Sequence, residues 1–249
     1  MLILTIPHSG LEVKGLPQQM NSFLLARLYK DCLDCADLYV DKLFSYEKAR
    51  RIVFPVSRMC VDVERYADDK KEIMAKYGRG VCYTVLNDGK TVYRNSLDIH
   101  LLEDYLNYHK DLDNLCKWCK LREDEPFIID CHSFNQKPFS FDLCQDIKER
   151  DVDICFGFNE ELPKELKDIL ENWCKDCAYS FSYNKPYSGA MTCPSCNNSL
   201  MIEVNKRVYL CGDNITPKAD FYKVNNNMNR LIKCIDEWWI KHNKIGELK

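Results

Sequence analysis

The feature that most constrains this chain is its alternation of short apolar runs with long amphipathic stretches. Leu2–Ile6 is continuously apolar apart from Thr5, and a polar loop follows it through about Gln18. Asn21–Phe44 then places Leu24, Leu25, Leu28, Cys32, Cys35, Leu38 and Leu43 at helical spacing. Arg51–Pro55 and Met59–Val63 read as short strands. Ser96–Leu121 reads as a second long helix, with Ser96 as N-cap and Asp98 in its first turn. Pro126–Asp130 is an apolar strand running into Cys131-His132-Ser133, and Asp153–Gly157 is another short strand. Helical spacing returns over Leu162–Ala178, a strand over Leu200–Val204, and a last helix over Asn225–Asn243. Strands alternating with helices of this length specify an α/β fold: a single domain with a mixed, largely parallel sheet flanked by helices. No repeat, low-complexity linker or compositional break divides the 249 residues, so residues 1–249 are expected to form one unit.

Charge and composition remove several function classes. A net charge of -3 and a pI of about 6.0, with no long Lys/Arg run, argue against a nucleic-acid partner. No stretch approaches the roughly eighteen uninterrupted apolar residues of a membrane span. The N-terminal segment lacks a basic leader and a small-residue cleavage site, and it reads as a buried strand. The expectation is therefore a cytoplasmic protein with neither membrane nor nucleic-acid partners.

The 15 cysteines are an odd number in a chain without a secretory signature, which disfavours a disulfide framework. Cys32/Cys35, Cys116/Cys119, Cys174/Cys177 and Cys193/Cys196 have Cys-x-x-Cys spacing. Two such pairs together can hold zinc. The first three pairs lie in helical segments, where reduced cysteines serve as small apolar residues. Cys193-Pro194-Ser195-Cys196 is the exception, because Pro194 favours a turn.

Open α/β sheets gather ligands at the carboxyl ends of their strands. Two of the five histidines stand there, His8 after Leu2–Ile6 and His132 after Phe127–Ile129, and each precedes a serine. Two histidines at strand ends suggest a metal. A catalytic zinc takes three N or O ligands and leaves a position open for water. The third ligand would be a carboxylate. Asp37 and Asp41, spaced i and i+4, share one face of the first long helix. Asp130 could orient a ligand histidine from behind.

The residues also follow a family pattern. His8-Ser9-Gly10, Asp37 to Asp41, Ser57-Arg58 with Asp62 and Arg65, Tyr108-His109, Asp130 to Ser133, Asn184 to Gly189, and Glu203-Val204-Asn205 to Tyr209 occur in order. Over residues 3 to 210 the chain resembles the N-formylglutamate amidohydrolases, relatives of the zinc carboxypeptidases with a phosphorylase/hydrolase-like sheet. The resemblance implies one catalytic Zn2+ held by His8, His132 and Asp37, with Asp41 as the fallback ligand. It implies Glu203 as general base and acid. Away from the resemblance, Glu203 would form an ion pair with Arg207 or a lysine. Arg58 and Arg65 would hold a substrate carboxylate, for which a guanidinium fork is suited. Alternatively, they would bridge to Asp62 or Glu64. His109 would face the site, and Asn184 and Gly189 would flank a Lys-Pro-Tyr-Ser turn over the substrate.

Two segments depart from the family. Asp62-Val63-Glu64-Arg65 carries Glu64 where the family usually has asparagine. Thr192–Asn198, with its Cys-Pro-Ser-Cys, replaces a glycine-rich passage. The expected reaction is hydrolysis of an acidic N-acyl amino acid, with N-formyl-L-glutamate first. A carboxypeptidase-like peptidase or another N-acyl amino acid amidase is the neighbouring alternative. From other classes, a cysteine-bound zinc interaction module and thiol chemistry at Cys131 or Cys193 compete.

Overall fold

In the computed structural model, residues 1–17, 20–94 and 98–246 are described. Six strands form one sheet: β1 Leu2–Ile6, β2 Arg50–Val53, β3 Phe127–Phe134, β4 Ile154–Gly157, β5 Phe181–Tyr183 and β6 Ser199–Asn205. Their order is β2-β1-β3-β6-β4-β5. The first four are mutually parallel, while β4 runs antiparallel to β6 and parallel to β5. The central strands β1 and β3 are buried along their whole length. Residues on both faces are therefore withdrawn from water, which is why these segments read as apolar runs. The sheet is mixed and largely parallel, as its sequence indicates.

The two faces of the sheet do different work. Leu2, Leu4, Ile6, Ile129, Cys131, Leu200, Ile202 and Val204 pack against the helices α4 (Lys164–Cys177) and α6 (Phe221–Gly246), and the one-turn helix α5 (Lys206–Tyr209) follows β6 directly. The other face carries Ile3, Thr5, Ile128, Asp130, His132 and Glu203. It turns polar toward the carboxyl ends of the strands. Helix α3 (Ile99–Lys120) and the irregular stretch from Phe54 to Val81 cover that face with a second apolar cluster. Alternation along a strand separates core-forming from chemistry-bearing residues, and the register aligns them across strands.

Several local expectations are corrected. The continuous helix over 21–44 is two helices, α1 Ser22–Cys35 and α2 Val40–Leu43. Ala36 is extended and Tyr39 is left-handed, so the helix cannot continue between them. The break has a purpose: the Asp37 N–H donates to the His8 carbonyl at 2.9 Å. Met59–Val63 is not a strand but a turn, closed by Cys60 N donating to Ser57 O at 2.8 Å. His132 lies within β3, which extends to Phe134. Ser96 falls outside the described residues, and α3 is instead capped by Asp98, whose side chain accepts from His100 N. The last helix starts four residues earlier than expected, at Phe221.

Gly10 closes the loop that follows β1. A Cβ there would overlap the backbone of Phe54 and Pro55, so only glycine lets the two segments approach this closely. Gly10→Ala must push the His8 loop away from the end of β2. The expected cost is about 1–3 kcal/mol, as for other overpacked sites. It should be read as a lowered denaturant midpoint with an unchanged m-value.

Candidate active site

Chain reversal after β1, the break between α1 and α2, and the end of β3 bring His8, Asp37 and His132 together. Their ligand-capable atoms lie within 4.8 Å of one another, and all three residues are buried. Asp37 Oδ2 is 3.2 Å from His132 Nδ1 and 3.8 Å from His8 Nδ1. The imidazoles face each other with ring centroids 5.2 Å apart. Asp41 is elsewhere, in the first turn of α2, beside a shallow depression with Arg51 and Tyr222.

Each histidine is gripped from behind by a carboxylate. His8 Nε2 is 2.9 Å from Asp62 Oδ1. His132 Nε2 is 3.2 Å from Asp130 Oδ1 and 3.1 Å from Glu64 Oε1. Asp130 is itself held by Thr5, whose hydroxyl donates at 2.8 Å, and by Met191 N at 2.8 Å. A carboxylate accepting from one ring nitrogen fixes the tautomer and directs the other nitrogen's lone pair forward. Both Nδ1 atoms thus point at Asp37. His8 Nδ1 is buried and has no hydrogen-bond partner, and such an atom is costly unless something binds it.

The charges are consistent with a cation-binding site. Asp37, Asp62, Glu64, Asp130 and Glu203 crowd one region lined also by Arg58, Arg65 and Lys206. Burial works against charge on Asp37, but the two imidazoles outweigh it and hold its carboxyl below the usual range. Burial likewise opposes charge on Glu64, and His132 and His8 bring it down to about 2. Despite burial, Glu64 and Asp130 hold the His132 imidazole well above its usual range. These carboxylates require a positive charge among them. His8, His132 and Asp37 offer two nitrogens and one oxygen, with an orphaned lone pair among them, and this donor set fits a divalent ion.

Glu203 sits directly opposite His132 across the β3–β6 pairing. It lines the cavity, and its Oε2 has no partner. Burial pushes its carboxyl up to about 8, with Asp37 and Glu64 adding to the push against His132 and Arg58. It makes no ion pair with Arg207, which bonds Asp151 and Asp153. The cavity has a volume of about 770 Å³.

Arg58, Arg65, His109 and Gly189 all line this cavity. Arg58 donates to Asp62 Oδ2 from Nε at 3.2 Å and Nη2 at 2.8 Å. Arg65 Nε stands 3.5 Å from the same oxygen. The His109 Nε2–Val63 carbonyl distance is 2.7 Å. Asn184 is turned the other way: left-handed, it accepts from Phe158 N at 2.9 Å and closes the end of β4. Gly189, also left-handed, is at the rim.

Two cavity residues escape the sequence reading. Tyr83 donates to Asp62 Oδ2 at 2.7 Å. Lys206, three positions past Glu203, is fully buried, with Nζ 3.3 Å from the Asp34 carbonyl. Only a polar residue just beyond a strand end hints at Lys206. Tyr83 has no such signal.

The sequence matches the N-formylglutamate amidohydrolase family over residues 1–210. The chain belongs to that family. An N-formylglutamate amidohydrolase from Ralstonia eutropha JMP134 is similar in structure, with a TM-score of 0.79 at 17% identity over 97% of this chain and 94% of that one. A gene product of Agrobacterium tumefaciens is similar at a TM-score of 0.58 and 14% identity, covering 94% and 91%. No protein of curated function matches the sequence. At these identities the structural likeness establishes the shared fold, and the family membership makes the chain a hydrolase of the amidohydrolase kind. No helix among the described residues is long and apolar enough to cross a membrane.

Glu203 carries a stability signature in the metal-free protein. Its carboxyl ionises near 4.5 when exposed and near 8 in the fold. Between these values the folded state keeps a proton that the unfolded state releases, so this group makes stability fall as pH rises. Glu203→Gln, in chelator, should match the wild type in melting temperature below about pH 4.5. It should be increasingly more stable up to about pH 8, with the gap constant beyond. A gap independent of pH would contradict the assignment.

Proposed function

We propose that this amidohydrolase cleaves the amide of an acidic N-acyl amino acid, N-formyl-L-glutamate first, with a zinc ion held by His8, Asp37 and His132. The observation that carries the reading is the pair of Nδ1 atoms converging on Asp37, each histidine backed by a carboxylate, with Glu203 one strand away. A zinc ion in that donor set would polarise the scissile carbonyl and lower the pKa of a bound water toward about 7.

The chain's own residues supply the rest. Glu203 is the group placed to take a proton from water and return it to the leaving amine. Its buried carboxyl, poised at about 8, matches the driving force for both transfers better than an exposed one would. Asp62 and Asp130 hold the imidazoles in orientation. Arg58, Arg65 and Lys206 make the cavity attractive to an anion, and Arg58 and Arg65 retain N–H groups beyond those committed to Asp62. An α-amino diacid has two carboxylates to place, which suits a cavity lined by several basic side chains. Gly189 and His109 supply wall, not charge.

Glu64 bears on specificity. It stands where the family usually has asparagine, and its side chain bonds His132 Nε2 and approaches His8 Nδ1 at 3.5 Å. Its negative charge is directed at the imidazoles, and it makes no ion pair with Arg58 or Arg65. This placement supports an acidic substrate despite the departure from the family pattern.

The test is a hydrolysis panel of N-formyl, N-acetyl and dipeptide substrates with acidic and neutral amino acids. N-formyl-L-glutamate should turn over best, and a chelator should abolish the activity until zinc is restored. Chelator-insensitive turnover, or preference for neutral substrates, would refute the proposal. Glu203→Gln should lower kcat by about 10²–10⁴-fold, the contribution of a positioned acid–base group. Arg58→Met should raise KM for acidic substrates more than for neutral ones.

A further inference from the structure

Where the loop joining β5 to β6 packs against α3, four cysteines meet in one buried cluster. Cys116 and Cys119 lie one turn apart on the inner side of α3, both fully buried. Residues 193–196 double back on themselves: Cys193 N donates to Cys196 O and Cys196 N to Cys193 O, both at 3.0 Å. Pro194 and Ser195 form the tip, and Ser195 N donates to Asp113 Oδ1 on α3 at 2.9 Å. Cys116 packs in the same buried cluster as Cys193 and Cys196. Cys119 completes the group in one small cluster with Ile3, Leu112 and Ile128. All four are free thiols.

Buried cysteines as apolar filler explain the other two Cys-x-x-Cys pairs. Cys32/Cys35 and Cys174/Cys177 each lie on a single helix with no second pair facing them. The pair on α3 is different, because a tight turn some 75 positions away presents a second pair to it. Apolar filling requires neither the turn nor the match. Two Cys-x-x-Cys pairs, one in a tight turn, are the donor arrangement of a closed tetrahedral zinc site.

We propose that Cys116, Cys119, Cys193 and Cys196 hold a structural zinc ion, distinct from the histidine site and independent of the reading given to that site. Zinc–sulfur bonds of about 2.3 Å place the sulfurs roughly 3.8 Å apart. Among the described residues, the donor groups mutually within 4.8 Å are all at the histidine site. The four sulfurs therefore close up on binding. Cys119, whose sulfur is 3.7 Å from the Met1 thioether, rotates to join them. Binding releases the thiol protons to solvent as the thiolates form. The site pins the segment containing Gly189–Thr192, which walls the cavity and leads into the strand that carries Glu203.

Metal analysis of the full chain, purified under reducing conditions, decides the question. The wild type should carry two zinc ions per chain, His8→Ala/His132→Ala one, and Cys193→Ser/Cys196→Ser one. Cobalt(II) substituted into the histidine double variant should show the intense near-ultraviolet absorption of thiolate-to-cobalt charge transfer. Mass mapping of native protein treated with iodoacetamide should find Cys116, Cys193 and Cys196 protected until a chelator is added. The proposal is overturned by a wild type with a single zinc that the histidine substitutions remove. It is equally overturned by cobalt without thiolate bands, or by a disulfide among the four cysteines. If the serine variant does not fold, the cobalt spectrum of the histidine variant still decides.

Discussion

Asp37 stands between His8 and His132, and the rest of the site is arranged around that contact. A single carboxylate facing two buried imidazoles is stable only if the backs of the rings are also satisfied. Asp62 and Asp130 meet that demand. They introduce further buried charge, which Arg58, Tyr83 and Thr5 then compensate by hydrogen bonding. Each layer of polar groups thus calls for the next, until the outermost cations reach the cavity wall. The cavity-lining arginines are in this sense the outer end of the network that orients the histidines. His8 and the cavity wall are coupled through Asp62, because the same carboxylate bonds His8 and Arg58.

The sheet makes this network affordable. Leu4, Ile129 and Ile202 bury one side of the central strands against α6, so the opposite side can be given to polar residues. Register does the aligning: His132 meets Glu203, and Asp130 meets Met201, at fixed spacing along β3 and β6. A slip of one residue would turn His132 into the core and Cys131 into the cavity. Cys131 is accordingly buried on the apolar side with its thiol held well above the usual range by burial, and it has no access to the cavity. Thiol catalysis at that position has no geometric support.

Much of this was legible in the sequence, for physical reasons that also explain what was not. Strands buried on both faces show themselves as apolar runs, so the places where polarity interrupts them, at His8 and His132, stand out. Asp37 was separable from Asp41 only by resemblance, because helical periodicity runs through both. The break at Ala36 and Tyr39 rests on the Asp37–His8 backbone hydrogen bond, a long-range contact that periodicity cannot register. β5 is three residues long and half-buried, too short to leave an alternation. Tyr83 joins the site from a loop folded across the sheet, and nothing near it in sequence marks it out.

Glu64 shows why a local rule can mislead about function. Read beside Arg65, it is an acid spoiling an anion-binding sequence. In the folded chain its carboxylate stands 3.1 Å from His132 Nε2, and the field of two imidazoles brings it down to about 2. Charge that looks unfavourable along the sequence is neutralised across space. The consequence concerns the histidines more than the substrate: a neutral amide at position 64 could occupy the same place but would stabilise an imidazolium far less. Glu64 and Asp130 both face His132 Nε2, which can donate only one proton. Only one of them can hold that proton, and the other must be able to move aside. Glu64, a quarter exposed on the cavity side, has room to do so, whereas Asp130, pinned by Thr5 and Met191 N, does not.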